Sequence, residues 1–166
     1  MEQHYRDNRL NPIHEGTHGI QALDLLGRKM TMRGGAGLLL LTETMGETVA
    51  RARVAGGEIA ELAERLDTAV RRITTVTRRL WAGGDPVLAL ANASAYLEAV
   101  GHVVIAWMWL EQVLALPPAE SGDSFHAGKR QAARYFFSVE LPRTGPQFDL
   151  LDSLDRSALD MRADWF

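Results

Sequence analysis

Residues 14–18 read His-Glu-Gly-Thr-His, the stretch of this chain whose residue types and spacing could do chemistry. Two imidazoles four residues apart fit the pattern H-E-x-x-H. On a continuous helix that pattern puts both His on one face to bind zinc, with the Glu as general base. The demand is strict, because all five residues must be helical and a third ligand is wanted. Gly16 inside the motif costs about 1 kcal/mol relative to Ala in a helix interior. Pro12, just ahead, disfavours helix before it. His102 and His126 are the candidates for a third ligand, and neither has a spacing that argues for it. A plainer reading makes Glu15 a loop carboxylate, Gly16 a turn and Thr17 a helix N-cap.

The longer run Tyr5-Arg6-Asp7-Asn8-Arg9-Leu10-Asn11-Pro12-Ile13-His14-Glu15-Gly16-Thr17-His18-Gly19-Ile20-Gln21 resembles the acyl-CoA dehydrogenase family. There, a helix ending in Tyr-Arg-Asp leads to a loop of the form Ile-Tyr-Glu-Gly-Thr-x-x-Ile-Gln. The continuation from Ala22 to Lys29 is similar to a bacterial subgroup with an extra C-terminal helical domain, which includes enzymes acting on 3-methylmercaptopropionyl-CoA. Leu90 to Leu97, Trp107-Met108-Trp109 and Phe125 to Lys129 look like parts of that same domain. Two positions depart from the pattern: His14 stands where Tyr is usual, and His18 where Asn or a small residue is common.

The resemblance implies FAD-dependent α,β-dehydrogenation of an acyl-CoA thioester, with an electron acceptor to reoxidise the flavin. Glu15 would take the α-proton while a hydride leaves the β carbon for flavin N5. A thioester α-proton is weakly acidic, so the base must be desolvated and tuned upward in pKa. Gly16 would contact substrate, since a residue without Cβ lets backbone approach closely. Thr17, His18 and Gly19 align with FAD-contacting positions, and a helix start behind Thr17 suits a phosphate-bearing cofactor. His14 beside Glu15 would shift its proton affinity.

The resemblance divides the chain into residues 1–33, the end of a catalytic helical bundle carrying the Glu-Gly-Thr loop, and residues 34–166, the extra helical domain. No strand-rich or Gly-rich flavin-binding segment precedes Tyr5. The expectation is therefore a fragment that does not hold FAD stably and is inactive alone, from a parent that is a homo-oligomer.

The surrounding elements read as helices. One starts near Thr17 and passes through Ile20, Leu23 and Leu26, and Gly34-Gly35 with Gly37 breaks it. A second runs from about Gly37 to Val54 and stops at Gly56-Gly57. A third, Glu58 to Ala82, carries Ile59, Leu62, Leu66, Ala69, Ile73, Val76 and Leu80 at alternating steps of three and four, the seam of a helix packed lengthwise on another. Asp85-Pro86 opens a fourth with a cap and a Pro at the first helical position. Continued to Leu116 it would be about 45–48 Å long. A fifth spans Ser124 to Glu140, offering Phe125, Ala132, Ala133, Phe136 and Phe137 for packing, and Pro142, Gly145 and Pro146 end it. The tail to Phe166 is partly helical at best. No period-two alternation appears, so the fold class is all-α, an up-and-down helical bundle with short Gly/Pro connections.

Composition sets the remaining bounds. The 166 residues carry 18 Lys+Arg against 21 Asp+Glu, which leaves no broad basic field for nucleic acid. Arg71, Arg72, Arg78 and Arg79 form the one basic cluster and read as a solvated helix face. The absence of cysteine removes disulfides, thiolate metal sites and a Cys nucleophile. The apolar run from Ala99 to Leu110 is short of the ~20 residues a bilayer needs, and a soluble cytoplasmic protein is expected. His102 reads as a hydrogen-bonded core histidine, Trp107 and Trp109 as core or interface, and Asn92 and Ser94 as helix–helix hydrogen-bonding residues. A competing reading has no chemistry at all: a stand-alone interaction module that dimerises through the 59–80 seam.

Overall fold

The computed structural model describes residues 2–10, 17–117 and 124–165, and among them every regular element is helical. In chain order these are α1 (Glu2–Asn8), α2 (Thr17–Leu23), a π-turn (Asp24–Lys29), α3 (Met32–Ala55), α4 (Gly57–Ala82), α5 (Pro86–Leu90) and α6 (Ala93–Leu114). Then follow α7 (Ser124–Tyr135), a second π-turn (Phe136–Glu140), a 3-10 turn (Leu141–Arg143), α8 (Thr144–Asp152) and a 3-10 turn (Ala163–Trp165). This is the all-α class that the periodicity predicts.

The α4 seam forms as its spacing requires. Leu62, Leu66, Ala69, Ile73, Val76 and Leu80 are buried, and Ile59 is half-buried against the same core. The seam faces α3, α6 and α8 of its own chain. It is core, and the dimerising surface of the competing reading is therefore taken up within the molecule. Gly56 makes the α3–α4 reversal possible: its φ of 73° lies where an L side chain is strained, and its N–H caps Ala52 and Arg53. At the other end of α3, Arg33, Gly34 and Gly35 have φ of 52°, 68° and 87°. Three consecutive left-handed residues are the break expected at Gly34-Gly35. Regular helix resumes after them.

α6 lies at the centre, packed against α2, α3, α4, α7 and α8. Tyr96, Val103, Ala106 and Leu110 fill its inner side. By length and composition α6 is long and apolar enough to cross a membrane, which the shorter apolar run in the sequence is not.

Four expectations need correction. The fourth helix is not continuous from Pro86 to Leu116. Asp85 caps it by accepting from Val87 N and Leu88 N at 3.0 and 3.2 Å, but the chain turns at Ala91–Asn92 before α6 begins. The Asn92 side-chain amide donates to the Asp155 carbonyl at 2.9 Å, a tie to the C-terminal tail rather than between helices. Ser94 is exposed. The prolines after Glu140 do not end the helical path either. Pro142 follows a π-turn that has already broken the regular ladder, and Pro146 is third in α8, where a missing N–H leaves nothing unpaired. The path therefore continues to Asp152 and buries Phe148 and Leu151. Phe125 stays 57% exposed, whereas Ala133 and Phe137 supply the packing.

The arginine cluster is only partly a solvated face. Arg72 reaches Asp149 at 2.7 Å with its guanidinium 5.8 Å from the Phe148 ring centre. Arg79 Nε donates to the Asp152 carbonyl at 3.2 Å. Both hold α8 on α4. Arg71 pairs with Asp67 at 2.5 Å, while Arg78 is exposed with no ion-pair partner among the described residues.

Candidate functional site

The residues assigned to chemistry lie where the chain enters α2. His14, Glu15 and Gly16 lie outside the described residues, as does the side chain of Thr17. What the structure describes is the element that carries the end of the motif. α2 begins at Thr17, and its first turn presents His18 and Gly19 at the surface, with open space where a Cβ on Gly19 would stand.

α2 is anchored from behind. Ala22, Leu26 and Met30, at steps of four, are all buried in the common core. The intervening π-turn keeps them on one side, since its wider winding brings a four-residue step back near its start. Its signature is the hydrogen bond from Met30 N to the Leu25 carbonyl, five residues back, at 2.9 Å. Asp24 and Arg28 pair on the outside, and that hydrogen bond holds the Asp24 carboxyl below its usual range.

Beside this turn, Gly19 and Leu23 share a hollow of about 310 Å³ with Leu90, Ala91, Asn92, Ala93, Ser94 and Ala95. It sits where the turn at Ala91–Asn92 interrupts the helical path. Among the described residues its walls are two leucines, small side chains and Asn92, none of them ionisable. Among the described residues no group of three or more His, Cys, Asp or Glu is placed to hold a metal ion. His102 and His126, considered as third ligands, are on α6 and α7. His102 is half-buried rather than core, with Nδ1 2.9 Å from the Glu98 carbonyl and its ring stacked on Phe136.

Two polar networks that the sequence reading missed lie deeper in the bundle. Trp107 Nε1 donates to Thr48 Oγ1 at 2.7 Å, and the Thr48 hydroxyl and the Arg51 guanidinium both donate to Glu111. Burial pushes the Glu111 carboxyl up, but the hydrogen bonds from Thr48 and Arg51 outweigh it and hold the group below its usual range. Tyr96, 0% exposed, shares a 2.5 Å hydrogen bond with Thr77, and burial pushes its phenol up to about 12. These pairings join α3 to α6 and α4 to α6. They are far apart in sequence, and no local spacing reveals them. Each polar atom is matched within the bundle, which makes them structural ties.

Comparison with known proteins places the chain. Residues 41–162 match the family described as acetyl-CoA dehydrogenase C-terminal like, and the chain belongs to that family. The matched span runs from the middle of α3 through α8. Among particular relatives, a 3-methylmercaptopropionyl-CoA dehydrogenase of Ruegeria pomeroyi is 34% identical over 128 residues, 75% of this chain and 22% of that protein. A broad-specificity linear acyl-CoA dehydrogenase (FadE5) of Mycobacterium tuberculosis is 28% identical over 97% of this chain and 28% of its own length. A butyryl-CoA dehydrogenase of Syntrophomonas wolfei is 26% identical, again over 97% of this chain and 28% of its own length. The chain spans about a quarter of the length of these relatives.

Proposed function

We propose that this chain is the C-terminal helical part of an FAD-dependent acyl-CoA dehydrogenase, with Glu15 as the acceptor of the substrate α-proton. The observation that carries the reading is the family match across residues 41–162, reached independently of the Glu-Gly-Thr motif that lies before it. The relatives matched over 97% of the chain are named as acyl-CoA dehydrogenases, and so large a share takes in more than the family-matched span.

In this reading residues 1–33 close the catalytic bundle and 34–166 form the extra domain. Gly16 lets the substrate thioester approach the backbone. His18 and Gly19 are exposed on the first turn of α2 with free space over the glycine, which fits a flavin lying along that turn together with Thr17. When bound, the flavin supplies the acceptor for the β-hydride. The chain's own part is to hold the Glu15 carboxylate at the α carbon and to fix the turn through the buried Ala22, Leu26 and Met30. The flavin itself needs walls that a helical bundle lacks, so the isolated chain is expected to be inactive and not to retain FAD. Acyl-CoA and an electron acceptor are the partners proposed for the parent, in the cytoplasm.

The test uses the longer enzyme from the same reading frame. Glu15→Gln should lower acyl-CoA dehydrogenation by about 100- to 10,000-fold, the range for losing a general base, while the flavin absorbance stays at full occupancy. Retained activity in that variant would remove Glu15 from the reaction. Stoichiometric zinc after dialysis would instead favour the peptidase pattern.

A further inference from the structure

Asn92 gives up the bond that an asparagine at a helix start ordinarily makes. It stands at the N-cap of α6, where an Asn side chain accepts from the backbone N–H two or three residues on. Here it makes no such bond. Its amide donates instead to the Asp155 carbonyl, 63 residues away in sequence, at 2.9 Å. The tail is shaped to receive it. Leu154 has a φ of 55°, left-handed backbone that a residue with a Cβ rarely adopts. The Asp155 carboxylate braces the next turn by accepting from Ser157 N at 3.0 Å and Ser157 Oγ at 2.9 Å. On its other side Asn92 belongs, with Leu90 and Ala91, to the wall of the hollow that Gly19 and Leu23 complete. Leu90 also packs on the π-turn behind α2: a Cβ on Gly27 would stand 3.4 Å from a Leu90 methyl. Contacts therefore run from Asp155 through Asn92 and Leu90 to the segment that carries His18 and Gly19.

We propose that Asn92 is a positioning residue for the first turn of α2. Tied to the C-terminal tail, it fixes the break between α5 and α6. The break in turn fixes Leu90 on Gly27 and the hollow beside Gly19. The inference rests on the dehydrogenase reading, in which the flavin lies along that turn. Asn92 acts through Leu90 and the hollow wall, not by contact with the reacting atoms. Released from Asp155, its side chain returns to the ordinary cap position and accepts from the backbone N–H of Ser94 or Ala95, both on the same wall. Leu90 then loses its fixed place on the π-turn. Ala22, Leu26 and Met30 still anchor α2, so the turn stays folded but is less sharply placed.

Asn92→Asp isolates this role. The two side chains match in size, but a carboxylate cannot donate to the Asp155 carbonyl. It is a good cap for α6, favoured by the helix dipole, so the urea midpoint of the chain should hold. In NMR spectra of the chain, the Gly19 amide and His18 ring resonances should move. The indole N–H of Trp107, on the same helix but tied to Thr48, should not. Ser157→Ala, which removes one brace of the Asp155 turn, should shift Gly19 in the same direction by less. In the longer enzyme, Asn92→Asp should raise the Kd for FAD about threefold to tenfold, the scale of one hydrogen bond. It should also displace the flavin absorption bands and lower kcat with the KM for acyl-CoA unchanged. Gly19 and His18 resonances indifferent to Asn92→Asp, or an unchanged flavin Kd and spectrum, overturn the proposal. So do resonance changes spread over the whole chain, which would make Asn92 a residue of the fold alone. A longer enzyme that takes up no FAD even with Asn92 in place overturns the dehydrogenase reading itself, so the two failures are told apart.

Discussion

α4 and α6 lie against each other at the heart of the bundle and are built on opposite principles. α4 is charged along its outer side, and those charges are spent on neighbours: Arg53 of α3 bridges Glu64 and Asp67, Arg134 of α7 grips Glu58, and Arg72 and Arg79 hold α8. α6 has few charges and is apolar nearly all round, and its outer side leaves Ile105 47% and Met108 39% exposed. An amphipathic pattern thus specifies one burial direction, whereas uniform apolarity specifies burial without saying by what.

The contrast is sharpest for two isoleucines. Ile73→Ala on α4 opens a hole in the core and should cost about 2–5 kcal/mol in urea unfolding. Ile105→Ala on α6, where the side chain is 47% exposed, should stay within about 0.5 kcal/mol. Equal costs would mean that the two faces are not different in kind. Next in size is an alkaline effect at the contact between the helices. Tyr96 has an ordinary value of 10.0 raised to about 12 by burial. The folded state therefore holds the phenolic proton after the unfolded state has released it. Stability from this group is present below pH 10 and declines as pH rises through 12, by roughly 2–3 kcal/mol. Tyr96→Phe should lack that decline in denaturation measured against pH.

Smaller still is the α3–α6 tie. Thr48→Val leaves the Trp107 N–H and the Glu111 carboxylate each short of a partner, at a cost of about 1–3 kcal/mol. Glu111 has a lowered pKa, so its contribution is present above pH 4.5 and is lost as pH falls through the folded value; Glu111→Gln should blunt that acid sensitivity. The smallest effect belongs to the outer charges of α4. Arg72→Ala removes an exposed ion pair worth about 0.2–1 kcal/mol and should show chiefly as faster amide exchange in residues 144–152.

The sequence was most readable where the folding signal is local. The α4 seam, the Gly56 reversal and the Asp85-Pro86 start each depend on residues within a turn or two of one another. It was least readable where a distant partner decides. Asn92 looks like any polar residue in a helix until its amide meets the Asp155 carbonyl, and the break between α5 and α6 lies there. Pro142 and Pro146 read as stops because their cost depends on whether the preceding turn has already given up its regular bonds. The candidate site is a mixed case. Its motif was legible as a run of residue types, and α2 begins at Thr17 as expected, while Glu15 and Gly16 lie outside the described residues and their geometry stays with the proposal.

The π-turn behind α2 acts as a phase adjuster. It holds one residue more than an ordinary turn would and takes up that residue without turning Ala22 away from Leu26 and Met30. Deleting a single residue from Asp24–Lys29 would let the segment wind as plain α-helix, with Ala22 seven positions from Met30 and within about 20° of the same face. Ala22 would stay in the core and His18 would keep its outward direction, whereas winding all six residues as α-helix would part Ala22 from Met30 by about 80°. The widened turn is thus a local accommodation of one spare residue, and its loss is a change the bundle can absorb.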